Sequence, residues 1–440
     1  MERIDLKQEL ILLLEKEIGF TGKFILEKQC RNLDIDPDKI CYSDLEPLAR
    51  KVTLAIRSYT GEKRADEIKK SIMEYHQALE VVEHSLASDQ TPEELIEAEI
   101  TIASKKLAVN MYPEARDALI KARELLGKVD TDNSKSLDSR ISRLLGRVLS
   151  TSGETLEDAI EEYQRSIFAG MATGQHYDVA LSWNGIGSIS WRLGQHQRAL
   201  DCYDKALKAI DQFAAESRND KQKKQGAVAI IKSSLGNVYL DLLDYESAIK
   251  YNEEAIEDFR SMGNDAEVGR IYNNLARVYE EMGNYPRAMD RYERAIKYCG
   301  ESGSLRMQGW ALTNLASTFI ENKRLEDARI HLEKAEHILA NFTDAIANSK
   351  LHCMWGKYYR EKGVWQNSTE CFEKSIEAVI NAKSPDYLAI AREEFGIMYV
   401  KKKDKQKAKE LLDKALEWYI EKKDTVRIPK IEKLLADLNN

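Results

Sequence analysis

The stretch 274-NLARVYEEMGNYPRAMDRYERA-295 decides the fold. Ala276 directly follows Leu275, and Tyr279 comes three residues later, so Ala276 and Tyr279 share one face of a helix. Gly283-Asn284 interrupts the pattern. It resumes at Tyr285-Pro286, where proline suits the first turn of a second helix because its missing N–H would find no partner there anyway. Ala288, Tyr292 and Ala295 then recur at spacings of four and three, again one helical face. Two helices joined by so short a turn run antiparallel. Ala276 and Ala288 remove side chains where the paired helices approach, and the aromatic and Leu positions fill the space between them.

The same order recurs on both sides. Leu315-Ala316 is followed by Phe319, Leu325, Ala328, Leu332 and Ala335, and Phe395-Gly396 by Tyr399, Ala408, Leu412 and Ala415. Upstream stand Leu235-Gly236 with Tyr239, Tyr245, Ala248 and Ala255, and Ile186-Gly187 with Gly194, Ala199, Tyr203 and Ala206. Trp355-Gly356 with Tyr359, Gly363, Phe372 and Ser375 is looser, since Ser368 takes the place of Ala. Two weaker copies precede these: Leu145-Gly146 with Gly153, Ala159 and Tyr163, and Ala103 with Tyr112-Pro113, Ala115, Leu119 and Ala122. The small anchors therefore fall at 103, 146, 187, 236, 276, 316, 356 and 396, and the last four intervals are all 40 residues. Such regularity marks stacked helix pairs, each burying its apolar face against its neighbours.

The long interval between anchors 187 and 236 places its extra residues at 211–226, around the charged run Arg218–Lys224, and predicts a lengthened, solvated helix junction, with a partner-contacting protrusion as the alternative. Residues 425–438 carry Val426, Ile428, Ile431, Leu434, Leu435 and Leu438 at helical spacing and predict a capping helix. Residues 1–88 do not fit the repeat. Helical patterns there run over about 5–18, 23–33, 43–59 and 62–87, with a capping box at Ser43–Glu46 and another, Thr91–Glu94, opening the first repeat helix.

Composition agrees. Gly and Pro number only 22 and 7 among 440 residues, so helix breakers are scarce. The formal charge of −8 disfavours a nucleic-acid partner, which needs a clustered basic surface. Lys401–Lys405 is basic but reads as the turn of the last repeat. No run is long and apolar enough to span a membrane, and residues 1–5 lack a signal-peptide pattern. Six scattered cysteines, with no CxxC pair, read as reduced cytosolic thiols. There is no HExxH, Gly-rich phosphate loop, GxSxG or zinc-spaced Cys/His cluster. His331 and His337 are six apart, on different helix faces. The reading is therefore of no catalytic residues, no metal and no cofactor.

The repeat resembles the tetratricopeptide repeat, whose usual period is 34 residues. The 40-residue period is similar to the longer-helix variety found in kinesin light chains, spindle-orientation adaptors and bacterial peptide-sensing regulators. That resemblance implies an all-α, right-handed superhelical solenoid of about eight helix pairs over residues 90–423. Residues 1–89, outside the resemblance, read as an N-terminal helical module, either an elaborate cap of the solenoid or an independent docking module, and residues 424–440 as the C-terminal cap.

It further implies a concave groove lined mainly by first helices. Tetratricopeptide-like proteins often place asparagine two residues before the anchor, where its amide pairs with a ligand backbone. Asn274 and Asn314 stand there, Asn184 and Asn273 lie three before their anchors, and Asn237 follows its own. First-helix cations Arg270, Arg277, Lys350, Lys357 and Arg360 cluster in the central and later repeats, with Trp191 and Trp310 expected on the same sector. The alternative role for the asparagines is bridging neighbouring helices, and for the arginines pairing with Glu280 or similar carboxylates. The function implied is a cytoplasmic, non-catalytic adaptor that binds an extended or helical partner segment carrying acidic residues. Two further readings are a regulator resembling response-regulator phosphatases, switched by a peptide, and an assembly chaperone for one client subunit.

Overall fold

A computed structural model describes residues 21–33, 35–37, 42–60, 65–70, 91–108, 111–128, 133–152, 156–342, 344–381, 384–422, 424 and 426–439, with single positions at 7, 10, 11, 14, 40, 62 and 72. Among them every regular element is a helix, and no strand occurs. The chain divides into two compact units, residues 1–264 and 265–440.

The first unit opens with α1 (Thr21–Asn32) and α2 (Tyr42–Thr60). Four pairs follow: α3 (Pro92–Ala108) with α4 (Tyr112–Leu126), α5 (Ser134–Ser152) with α6 (Leu156–Thr173), α7 (His176–Arg192) with α8 (His196–Asp211), and α9 (Arg218–Asp241) with α10 (Tyr245–Ser261). The second unit holds four more: α11 (Asp265–Glu281) with α12 (Tyr285–Glu301), α13 (Leu305–Glu321) with α14 (Leu325–Leu339), α15 (Ala345–Lys362) with α16 (Trp365–Asn381), and α17 (Pro385–Lys402) with α18 (Lys405–Glu421). It closes with α19 (Arg427–Asn439). Eight pairs match the number read from the anchors. The helices expected over 5–18 and 62–87, and the side chains of Ser43 and Glu46, lie largely outside the described residues.

Steric need explains the anchors. A Cβ on Gly146, Gly187, Gly356 or Gly396 would sit 2.6–2.9 Å from a side-chain carbon of Tyr163, Tyr203, Phe372 or Leu412. Each of those residues lies 16 or 17 positions on, in the second helix of the same pair. The second small position is equally tight: Ala115, Ala159, Ala199, Ala248, Ala288, Ala328, Ser368 and Ala408 are all fully buried. Ser368 satisfies its hydroxyl by donating to Gly356 O at 2.9 Å, as a buried polar group must.

The turns repeat as faithfully. Residues 243, 283, 323, 363 and 403 all have positive φ, between 59° and 73°. The following N–H bonds back to the carbonyl of the aromatic that comes three after the anchor: Tyr239, Tyr279, Phe319, Tyr359 or Tyr399. This is the Schellman closure, which supplies partners to the last carbonyls of the helix. Asp244, Asn284 and Asp404 then cap the second helices through Ser247, Arg287 and Lys407 N–H.

The insertion lengthens a helix, as read. α9 spans 24 residues, begins at a reciprocal Ser217–Asp220 capping box, and is tied to the end of α8 by Lys224 Nζ donating to Asp211 O. The Thr91–Glu94 box also forms, with Thr91 N–H to Glu94 Oε2 at 2.9 Å and Glu94 N–H to Thr91 Oγ1 at 3.4 Å. At the far end, Ile431 is fully buried against Ala389, Leu412, Ala415 and Tyr419, with Ile428, Leu434, Leu435 and Leu438 around it. The N-terminal residues have a core of their own, including Leu14, Leu26, Leu45, Leu48, Val52 and Ile56. It is distinct from the cluster under α3–α5.

Candidate functional site

Within each unit the first helices of successive pairs pack side by side, α3·α5·α7·α9 in one and α11·α13·α15·α17 in the other, and the second helices form no comparable row. Close spacing on one side and wider spacing on the other make the first-helix row the inner surface of each unit. All twelve residues singled out from the sequence lie on these first helices. They do not share one role.

In the first unit, Trp191 is half-buried and its Nε1–H donates to Asp241 Oδ2 at 2.6 Å, so the indole spans from α7 to α9. Asn184 has a buried Oδ1 that accepts no hydrogen bond among the described residues. Asn237 is half-buried on α9.

The second unit separates into two regions. One is a buried ion network. Lys357 Nζ lies 2.9 Å from Glu321 Oε1 and 3.0 Å from Glu394 Oε1, so α15 is clamped to α13 and α17. Arg360 donates to Glu394 Oε2 at 2.7 Å and to Glu361 Oε1 at 3.2 Å. Glu361 also takes Lys401 at 2.6 Å and Lys323 at 2.8 Å. Burial alone would raise the Glu394 carboxyl, but Lys357 and Arg360 overcome it and hold it down at about 2. Burial likewise works against the Lys357 ammonium, and Glu394 and Glu321 outweigh it, so its affinity for the proton is raised. These charges are neutralised inside the protein.

Asn273 and Asn314 belong with this structural class. Asn314 Nδ2 donates to Asn273 Oδ1 at 2.7 Å, a bridge between α13 and α11 with both residues buried. Arg270 pairs with Glu267 on its own helix at 2.7 Å. Glu280, expected as a partner for the arginines, instead accepts from Tyr292 OH at 2.9 Å and Thr318 Oγ1 at 2.8 Å.

The other region is a strip across all four first helices. Arg277 on α11 is exposed and, among the described residues, makes no hydrogen bond or ion pair; Asn274, one turn before it, is half-buried and makes none either. Trp310 on α13 lies beneath Lys350 of α15, whose Nζ sits 5.2 Å from the ring centroid. Tyr387 of α17 meets Trp310 edge-on, with centroids 6.4 Å apart. Burial and the field of Arg277 push the Lys350 ammonium down to about 8. No carboxylate among the described residues pairs with it. Tyr387 was not foreseen, because it lies nine residues before its anchor in a sector the repeat pattern leaves unmarked.

Tetratricopeptide repeat family models match residues 143–215, 227–300 and 273–342, and over these segments the chain carries tetratricopeptide repeats. Among curated proteins it is similar to the 43 kDa receptor-associated protein of the synapse of Tetronarce californica. The two are 23% identical over 235 residues, 42% of this chain and 54% of that protein. The chain thus spans about half the length of this curated relative. Among solved structures it is similar to a Rap protein complexed with competence and sporulation factor (TM-score 0.56, 15% identity, covering 90% of this chain and 99% of that one). It is also similar to aspartyl phosphate phosphatase F from Bacillus subtilis (TM-score 0.54, 14% identity, covering 95% and 94%). At this identity the likeness establishes a shared helical-repeat fold. Among the described residues no helix is long and apolar enough to cross a membrane.

Proposed function

We propose that the chain is a non-catalytic adaptor whose inner first-helix rows bind a segment of a partner protein, working in a reducing compartment such as the cytoplasm. Repeats of this kind are protein-interaction scaffolds. The observation that carries the peptide reading is the strip of second-unit side chains that, among the described residues, make no hydrogen bond or ion pair, Asn274, Arg277 and Lys350 beside Trp310, in a unit where neighbouring inner-row cations are neutralised. Asn184, Asn237 and Trp191 are assigned as contacts in the first unit. Asn273, Asn314, Arg270, Lys357 and Arg360 are assigned to shaping the row. Residues 1–89, with their separate core, are proposed as a distinct module, 90–423 as the binding array and 424–440 as its cap.

A test is peptide display against the full chain, followed by hydrogen exchange on the complex. Protection confined to first helices is expected, and protection of second helices alone would contradict the reading. A second reading, a regulator of a phosphorylated signalling partner, is favoured by the similarity to aspartyl phosphate phosphatase F along 95% of this chain. Incubation with phosphorylated receiver domains separates the two, since the adaptor releases no phosphate.

A further inference from the structure

The strip in the second unit has a specific charge. Arg277 and Lys350 contribute two cations, and Glu280 is the carboxylate facing them. Both oxygens of Glu280 are taken by the hydroxyls of Tyr292 and Thr318, so it adds negative charge without bonding either cation. The other ionisable groups around Lys350 are Cys353, whose thiol burial pushes up to about 12, and Lys357, already held by Glu321 and Glu394. Around Lys350 the charge is therefore one net positive unit, and the carboxylates at the Tyr387 end are engaged elsewhere, Asp344 by Arg306 and Asp386 by Trp418 Nε1–H. A single carboxylate balances it; a dianion would leave an excess beside Glu280. The cations also abut an aromatic wall formed by Trp310 and Tyr387.

We infer that Arg277 and Lys350 hold one acidic side chain of the bound segment, while Trp310 and Tyr387 take an apolar side chain two residues away from it. This assignment rests on the adaptor reading above. In an extended segment, side chains two apart point the same way at a separation of about 6.6 Å, comparable with the spacings along Lys350, Trp310 and Tyr387. The carboxylate gives Lys350 a counter-ion that no described residue supplies. The flanking apolar contact adds dispersion and hydrophobic burial against the rings.

The test uses a random twelve-residue peptide display selected on the full chain at pH 7. Selected peptides are expected to share an Asp or Glu with an apolar residue two positions off. For one such peptide, Arg277→Gln and Lys350→Gln should each weaken binding at least tenfold, whereas Lys414→Gln, an exposed second-helix position, leaves it unchanged. Exchanging the peptide's acid for its amide should cost the same in the parent protein and almost nothing further in Lys350→Gln. Carboxylate binding raises the Lys350 proton affinity, so binding takes up a proton. Affinity in the parent protein should fall as pH rises through 8, by up to tenfold per unit. Lys350→Arg should flatten that fall. Binders that lack an acid, or whose acid is indifferent to both substitutions, would overturn this inference alone. A selection that returns no binder would overturn the adaptor reading and this inference with it.

Discussion

Lys350 and Lys357 lie two turns apart on α15, and their surroundings could hardly differ more. Lys357 is wedged between Glu321 and Glu394, contacts that join three helices. Lys350 lies over the face of Trp310, with Arg277 repelling it and, among the described residues, no carboxylate bonded to it. Burial weakens the proton affinity of both, and only Lys357 is compensated. A cation on the inner row is thus no evidence of a ligand contact by itself. What marks one is a charge desolvated by the fold and left unneutralised, because folding alone gains nothing from that arrangement.

The sharpest way to break this contrast is to remove Glu394. Glu394→Ala leaves Lys357 and Arg360 buried short of a partner and should cost about 3–5 kcal/mol in denaturant unfolding of the full chain. Lys350→Met, by contrast, should lose no more than about 0.5 kcal/mol, because it removes a charge whose desolvation is not offset. A large loss at Lys350 would make it structural and erase the distinction. Between these lies a packing benchmark: Ala288→Leu should overpack the α11–α12 contact and cost about 1–3 kcal/mol. Its faster hydrogen exchange should stay in the adjacent pairs of the repeat.

Acidity separates the two regions in opposite senses. The Glu394 carboxyl is depressed to about 2 from an ordinary 4.5, so its contribution is complete above pH 4.5 and is lost as pH falls through about 2. Lys350 is a base depressed from 10.5 to about 8, so the unfolded chain binds more protons between those values and stability rises with pH across that window. Glu394→Gln should flatten the acid limb and Lys350→Met the alkaline one, both read from unfolding midpoints against pH. A separate, modest effect concerns the turns. Leu243, Lys323 and Lys403 take the left-handed conformation that Gly283 and Gly363 occupy without penalty. Replacing Lys323 with Gly should gain about 0.5–1 kcal/mol.

Much of the fold was legible because it is steric. A residue with at most a methyl side chain recurs at each close approach, and Gly or Ala at intervals that settle to 40 residues records it. Even the exceptions obey the rule: Ser368 fits the alanine slot by bonding to Gly356 O. The inner-row placement of all twelve residues followed from their distance to the anchors. Their partners did not, since Lys357 with Glu394 and Asn314 with Asn273 meet across 37 and 41 residues. One signal was available. Glu394 stands two before its anchor, the slot of Asn274 and Asn314, and that slot faces the cations one and four after the previous anchor. A carboxylate there announces a structural pair.

The second unit presents on its inner face a desolvated cation, Lys350, that no described carboxylate neutralises. Lysine side-chain nuclear magnetic resonance of the full chain, assigned with Lys350→Arg and Lys357→Arg, tests it most directly. The Lys350 ammonium should titrate near pH 8 and move upward when an acidic peptide binds, with Lys357 still charged well above the ordinary lysine range. Two lysines titrating together at the ordinary value, unmoved by peptide, would contradict it.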